Sequence, residues 1–325
     1  MLGTMVRWII LLLLLALGTA PAVTPAHAEE ITVTQWGIGL YGVPYAVAMA
    51  KGYFRDAGID VTGILGSQGG GTSVRNLLAS DTPYGEVALS AAIAARREGL
   101  PLVIVNTGTR HVAEFVWVTM PTSPVRTIQD FAGKKIAYTN PKSVTDMLLI
   151  MALQAGHVPL DKVQRVATGG YGPGLTALEQ GGVAAAPIIE PNWTAHKDRY
   201  RAVFFVKDVL PPMTSTVGVT TAAFAAAHPD TVKAIVAGRR RGVDALYADP
   251  AEAARITAAA YGNLDPTVAE AAIRNMAAAK TWSPGDFEIA NFDRMAEGLQ
   301  LIGELTGPPD WKTLLDDRFL PADLR

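Results

Sequence analysis

Two short stretches carry residue types able to hold a small ligand by its polar atoms. Gly66-Ser67-Gln68-Gly69-Gly70-Gly71-Thr72-Ser73 lies between a strand-like run and an apolar pattern with helical spacing. Its glycines permit close backbone approach, and Thr72 and Ser73 place hydroxyls where a helix should begin. The first amides of a helix have no partner within it, and the dipole there favours negative charge. Such a start can seat an anionic or acceptor-rich group. An ordinary glycine turn with a capping hydroxyl is the plainer reading of the same letters. Asn140-Pro141-Lys142-Ser143-Val144-Thr145-Asp146 repeats the device before a second helix. Two such starts facing each other across a cleft would clasp a solute. The donors they offer are Gly71, Thr72 and Ser73 on one side, and Ser143, Val144 and Thr145 on the other. Ser90, at another strand-to-helix junction, is a further candidate donor.

Other chemistries do not assemble. Gly37-Ile38-Gly39-Leu40-Tyr41-Gly42 spells the dinucleotide motif after a strand, but its acid, Asp60, opens the second strand instead of closing it. Pro44 also falls where that helix should start. The histidines His111, His157, His196 and His228 are solitary. His111 and Glu114, three apart near a strand start, read as a solvated pair. With no Cys in the chain, disulfides, thiol nucleophiles and Cys metal sites are excluded. No G-x-S-x-G elbow occurs, and Met147 and Met151, one helical turn apart, read as core packing. No catalytic residue, metal or cofactor is therefore expected.

The elements that must position these residues follow from patterning. Residues 1–28 read as a cleaved signal peptide, with Arg7, a short apolar run and an Ala26-His27-Ala28 cleavage site, which implies a periplasmic protein starting near Glu29. Without Arg7 the charge changes from 28 basic and 30 acidic residues to 27 and 30, or −3. So near-neutral a chain, with no basic run, gives no support to nucleic-acid binding. From Glu29 to about Asn106, strand and helix patterns alternate, which points to a mostly parallel sheet covered on both faces. A second such unit runs from Phe115 to Val206, and Pro211-Pro212-Met213-Thr214-Ser215 is the candidate return crossing. After Thr221 only helices are predicted, several opened by proline: 229–247, 250–261, 266–279, 286–305 and 311–315.

In this order the chain resembles the periplasmic solute-binding proteins of ABC importers in the sulfonate, nitrate, taurine and thiamine-precursor group. The likeness rests on Tyr45 to Val61, with Ala50-Lys51-Gly52-Tyr53-Phe54 and Gly58-Ile59-Asp60-Val61, and on the turn Gly69-Gly70-Gly71-Thr72. It continues through Ile128-Gln129-Asp130-Phe131-Ala132-Gly133-Lys134-Lys135-Ile136, Gly181 to Pro191, and Phe224 to Val232 with His228-Pro229. Two places depart from the family pattern. Tyr84-Gly85-Glu86 stands where Asp-Phe-Gly is common, and Ala184 and Ile189 stand where an Asp and the Trp of Trp-Glu-Pro are common.

The resemblance implies an α/β, two-lobed binding-protein fold of type II, each lobe a mostly parallel sheet flanked by helices, with a C-terminal helical segment. The expected parts are lobe 1 over 29–112, lobe 2 over 113–214, and a return to lobe 1 with C-terminal helices over 215–325. It implies a monomeric, non-catalytic receptor that captures a small solute between the lobes and delivers it to a membrane permease. An exported enzyme on the same scaffold is the alternative, and a dinucleotide-binding oxidoreductase a further one. The loop before Val43 would line the cleft, with Tyr41, Tyr171 and Trp193 as candidate aromatic walls, although for each taken singly plain packing is the better explanation. Helix-start donors suit a sulfonate, an aromatic acid or pyrimidine nitrogens, while Glu190 suits a donor or positive end. Arg75 and Arg110 lie near enough in sequence to be considered, but neither sits in a donor loop, so an inorganic oxyanion such as nitrate is not favoured.

Overall fold

The computed structural model describes residues 28–67 and 69–325, so all but the last residue of the expected signal segment lies outside the described residues. The strands are β1 (Ala28–Thr34), β2 (Asp60–Ser67), β3 (Tyr84–Ala88), β4 (Leu102–Thr109), β5 (Phe115–Thr119), β6 (Lys135–Tyr138), β7 (Gln164–Ala167), β8 (Ala186–Ile189), β9 (Arg201–Phe205) and β10 (Thr216–Thr221). They form two sheets of one plan. In the first the order is β2-β1-β3-β10-β4, with β1 parallel to β2 and β3, and β10 antiparallel to both its neighbours. In the second, β5 runs antiparallel to β8 and β9, while β6 pairs in parallel with β7. A parallel bridge between Ile136 and Ala185 joins the two pieces, giving the order β7-β6-β8-β5-β9.

Each reversed strand is thus the one entered from the other lobe. The chain leaves β4, crosses through 110–114 and becomes β5; it returns through 210–215 and becomes β10. The segment 211–215, read from sequence as the return crossing, leads into β10, a strand absent from the expected strands. Its residues Thr216-Val217-Gly218-Val219-Thr220-Thr221 alternate as a strand should, and Val217 and Val219 are fully buried. Gly218 is required there. A Cβ at that position would stand 2.1 Å from Asn106 Oδ1 and 2.6 Å from the Tyr84 hydroxyl.

Helices cover both sheets. Val43–Ala50 is buried on nearly every side and is crossed by Pro229–Ala248. Pro250–Tyr261 and Pro266–Ala278 add an alanine-rich layer over Leu40, Val43 and Val47. Their starts combine a proline with a capping aspartate: Asp249 accepts from Glu252 N at 3.0 Å, and Asp265 from Thr267 N at 2.8 Å. Ile289–Leu301 lies against Val144–Ala155, with Gly298 facing the sulfurs of Met147 and Met151. One apolar cluster runs from Leu77 and Leu89 in the first lobe through Met147 and Leu148 in the second to Phe292 and Met295. Among the described residues no helix is long and apolar enough to cross a membrane.

Candidate functional site

Both crossings meet a loop of each lobe at one buried polar spot. The Tyr41 phenol, in the loop before Val43–Ala50, donates to Glu114 Oε1 at 2.8 Å. Glu114 is the last residue of the first crossing and is only 2% exposed. Tyr171, at the start of helix Tyr171–Glu179 in the second lobe, is close enough for the Glu114 carboxylate to push its phenol upward, after burial itself. Ser215, ending the return crossing, lies beside the Tyr41 phenol and favours its ionised form, against the larger effects of burial and of Glu114. Burial pushes the Glu114 carboxyl up to about 7, opposed by a hydrogen bond from its own backbone and by the Tyr41 hydroxyl. Its second oxygen, Oε2, is buried without any hydrogen-bond partner.

The reading of His111 and Glu114 as a solvated pair therefore fails for Glu114, whose side chain is sealed under Tyr41. Nothing in the local sequence announces this. Burial at a crossing depends on the two lobes meeting, which no short-range pattern encodes. His111 is half-buried, and its Nδ1 is also without a partner; burial, with Lys207 nearby, lowers its pKa. Thr214 Oγ1, in the return crossing, is a third buried polar atom without a partner.

The residues singled out by sequence fall into three groups. Tyr41 and Tyr171 come together at this spot. Ser90 is one residue into helix Leu89–Arg97, whose first amide donates to Ser215 O at 2.9 Å, so it stands next to the same crossing. The glycine turn adjoins that helix: a Cβ on Gly70 would lie 2.5 Å from the Ala91 Cβ. There the helix begins at Gly70, Gly71 and Thr72 are exposed, and Thr72 Oγ1 accepts from Arg75 at 3.0 Å. Ser73 is buried and turned back onto Ser67 Oγ and Gly69 O.

The second hydroxyl loop is occupied by its own contacts. Ser143 caps helix Val144–Ala155 by accepting from Asp146 N at 3.2 Å. Thr145 Oγ1 accepts from Thr139 N at 2.9 Å and bonds Thr139 Oγ1 at 2.7 Å. Val144 is half-buried against the shared apolar cluster. Among the described residues none of these hydroxyls bonds to Tyr41, Glu114 or Tyr171. Glu190 takes both hydrogen bonds of Thr194, from N at 3.2 Å and from Oγ1 at 3.0 Å, and so caps the short helix Asn192–His196. Burial raises its pKa, opposed by Thr194 and then by Asn275 on helix Pro266–Ala278. The Trp193 ring stands edge-on to Phe205, centroids 5.8 Å apart, on the second lobe's core. Arg110 is held by Asp286 at 2.8 Å and Glu288 at 2.5 Å.

The dinucleotide reading is closed by geometry as well as by position. The Trp36 ring fills the space over Gly42, where a Cβ would meet it at 2.4 Å, and Tyr261 donates to Gly39 O at 3.0 Å. The loop amides that would hold a pyrophosphate are therefore under aromatic cover. Asp60 opens β2 and pairs with Arg55 at 3.7 Å. Among the described residues no group of three His, Asp or Glu side chains could hold a metal ion. Of three surface cavities among the described residues, one lies between Val144–Ala155 and Ile289–Leu301, against Leu210 where the return crossing begins, and two lie beside Arg325; none is lined by Tyr41, Glu114 or Tyr171.

Two lobes of the same strand plan, joined by two crossings that each feed a reversed strand, define the periplasmic binding-protein fold. The chain belongs to the family described as NMT1/THI5 like, whose model matches residues 41–253. Its fold is similar to that of the periplasmic aliphatic sulphonate binding protein SsuA from Escherichia coli, with a TM-score of 0.73 at 16% identity over 89% of this chain and 92% of that one. It is similar to the alkanesulfonate-binding protein SsuA from Xanthomonas axonopodis pv. citri bound to MOPS, with a TM-score of 0.67 at 17% identity over 90% and 97%. It is also similar to the periplasmic nitrate-binding protein NrtA from Synechocystis PCC 6803, with a TM-score of 0.65 at 13% identity over 92% and 91%. No curated protein matches the sequence.

Proposed function

We propose that the chain is the solute-binding component of an ABC-type importer, exported by a cleaved signal peptide, which closes its lobes on a small organic solute and delivers it to a membrane permease. The lobes run over 29–112 with 215–325, and over 113–214. The observation that carries this reading is the Tyr41–Glu114 hydrogen bond, in which a first-lobe loop reaches the crossing close to Tyr171 of the second lobe. Solute enters where these groups part and is enclosed when they meet; closure is a hinge motion that ligand biases by binding the shut state more tightly. Tyr41, Tyr171, Glu114, Ser215 and Ser90 line the spot. Thr72, Ser73, Ser143, Thr145 and Glu190 shape the loops around it.

The test is a thermal-shift panel of sulfonates, pyrimidines, aromatic acids and amines beside nitrate and bicarbonate, since a ligand that binds only the folded state raises the midpoint. Small-angle scattering with a stabilising solute should then show compaction. Chemical conversion of that solute by the purified protein would replace this reading with an enzyme on the same scaffold.

A further inference from the structure

The buried carboxylate at the crossing bears on the chemical class of the solute, an inference that rests on the binding-protein reading above. Glu114 is almost wholly buried, one of its oxygens accepts from Tyr41, and the other has no partner. A buried acceptor left unpaired costs free energy that a donor can recover. The Tyr41 and Tyr171 phenols stand beside it, and neither brings a positive charge, so a cationic group would meet a buried carboxylate with no counter-ion. The groups that would favour an anion are committed elsewhere. The first amide of Leu89–Arg97 is taken by Ser215 O, the Ser73 hydroxyl is turned onto Ser67 and Gly69, and Ser143 caps its own helix. Arg110 is neutralised by Asp286 and Glu288, and Arg75 lies on an exposed helix face beside Thr72.

We infer that Glu114 is the anchoring acceptor of the site and that the solute it selects carries a protonated amine or an amidinium, seated between Tyr41 and Tyr171. A sulfonate or carboxylate in the same place would stand against an unshielded buried carboxylate. Glu190, the other buried carboxylate of the cleft, cannot serve without giving up Thr194. The titratable groups that act on the Glu114 carboxyl are Tyr41 from the first lobe and Tyr171 from the second. Glu190 donates its N–H to Glu114 O at 3.0 Å but turns its carboxylate onto Thr194. On the same crossing Arg110 is turned onto Asp286 and Glu288, and His111 lies nearest Lys207 and Asp208. Among the described residues no lysine or arginine pairs with it.

Burial raises the Glu114 carboxyl to about 7, while a bound cation requires the ionised form. Binding must then release a proton, and affinity must rise with pH. With Glu114 at about 7, the ionised fraction changes about tenfold between pH 6 and pH 8, and the dissociation constant of a cationic solute should fall by the same factor.

The experiment is calorimetric titration of the purified protein with matched series that differ only in the end group. Aliphatic and aromatic amines and benzamidines form one series, and the corresponding sulfonates and carboxylates the other. Each is measured at pH 6, 7 and 8 in two buffers of different ionisation enthalpy, with the protein as found and as Glu114→Gln. Expected are binders in the cationic series, proton release at pH 6 and 7, and at least tenfold weakening in Glu114→Gln with loss of the pH dependence. Circular dichroism and the unfolding midpoint of Glu114→Gln establish that it is folded. Tight binding of a sulfonate or carboxylate that Glu114→Gln leaves unchanged would overturn the inference and leave the binding-protein reading standing. Binding of nothing in either series would count against both.

Discussion

Arg239 and Glu86 form an ion pair, Nε to Oε2 at 2.9 Å, in which neither side chain is more than 1% exposed. The pair ties together the strands that become the crossings. Glu86 Oε1 accepts from Thr216 at the head of β10, and the other Arg239 amines donate to Gly108 O at 2.6 Å, near the end of β4, and to Ser283 O at 2.8 Å. Removing the guanidinium leaves a buried carboxylate without its counter-ion, which typically costs about 3–5 kcal/mol. Arg239→Met should lose that much in urea unfolding, and adding Glu86→Leu should restore a large part of it. A single-variant loss below about 1 kcal/mol would show that the pair does not hold the crossings.

Two threonines that look alike in sequence should behave differently. Thr145 is buried and its hydroxyl serves both the amide and the hydroxyl of Thr139, so Thr145→Ala should lose about 1–3 kcal/mol of stability. Thr72 is exposed and meets only Arg75, so Thr72→Ala should stay within about 0.5 kcal/mol. Equal losses from the two in chemical denaturation would contradict this assignment of their hydroxyls.

Much of the scaffold is legible in the sequence because it rests on local pattern. The proline and aspartate at Asp249-Pro250 and Asp265-Pro266 mark helix starts that the structure places within a residue of the expected positions. Patterning misses strand β10, since Pro211-Pro212 draws the segment toward a crossing and Gly218 breaks the β-branched run. Its glycine is explained only by Asn106 and Tyr84, more than a hundred residues upstream. The site is harder still. Sequence offers hydroxyls but cannot say whether they face a ligand or each other, and at Ser143 and Thr145 they face each other. Glu114 leaves no local signal, because what buries it is Tyr41, 73 residues away.

The Tyr41 hydroxyl is the only hydrogen-bond donor side chain on Glu114 among the described residues. Tyr41→Phe keeps the ring and removes that donor, leaving the carboxylate only the hydrogen bond from its own backbone, at a cost of about 1–3 kcal/mol. The loss falls mainly on the ionised form. The drop in unfolding midpoint should therefore be larger at pH 8 than at pH 6, as measured by differential scanning fluorimetry in matched buffers. A pH-independent drop would show that the hydroxyl serves packing alone.

The ligand-free protein should carry the same titration as a slope in its stability. Burial raises the Glu114 carboxyl from 4.5 to about 7, so between those values the native state holds a proton that the unfolded chain has lost. Stability therefore falls as pH rises through that window, and it levels off above about 7. A tenfold difference in proton affinity between the folded and unfolded chain corresponds to about 1.4 kcal/mol, which sets an upper bound of about 3.5 kcal/mol for the whole window. Glu114→Gln has nothing to ionise and keeps an oxygen to accept from Tyr41, so this part of the slope should vanish and the variant should be the more stable protein at pH 8. Urea unfolding at pH 5, 6, 7 and 8 measures both, with the difference between the two proteins isolating Glu114 from other titrating groups. Parallel stability curves across that range would mean that Glu114 is ionised throughout, and that its buried oxygen is solvated in the open state.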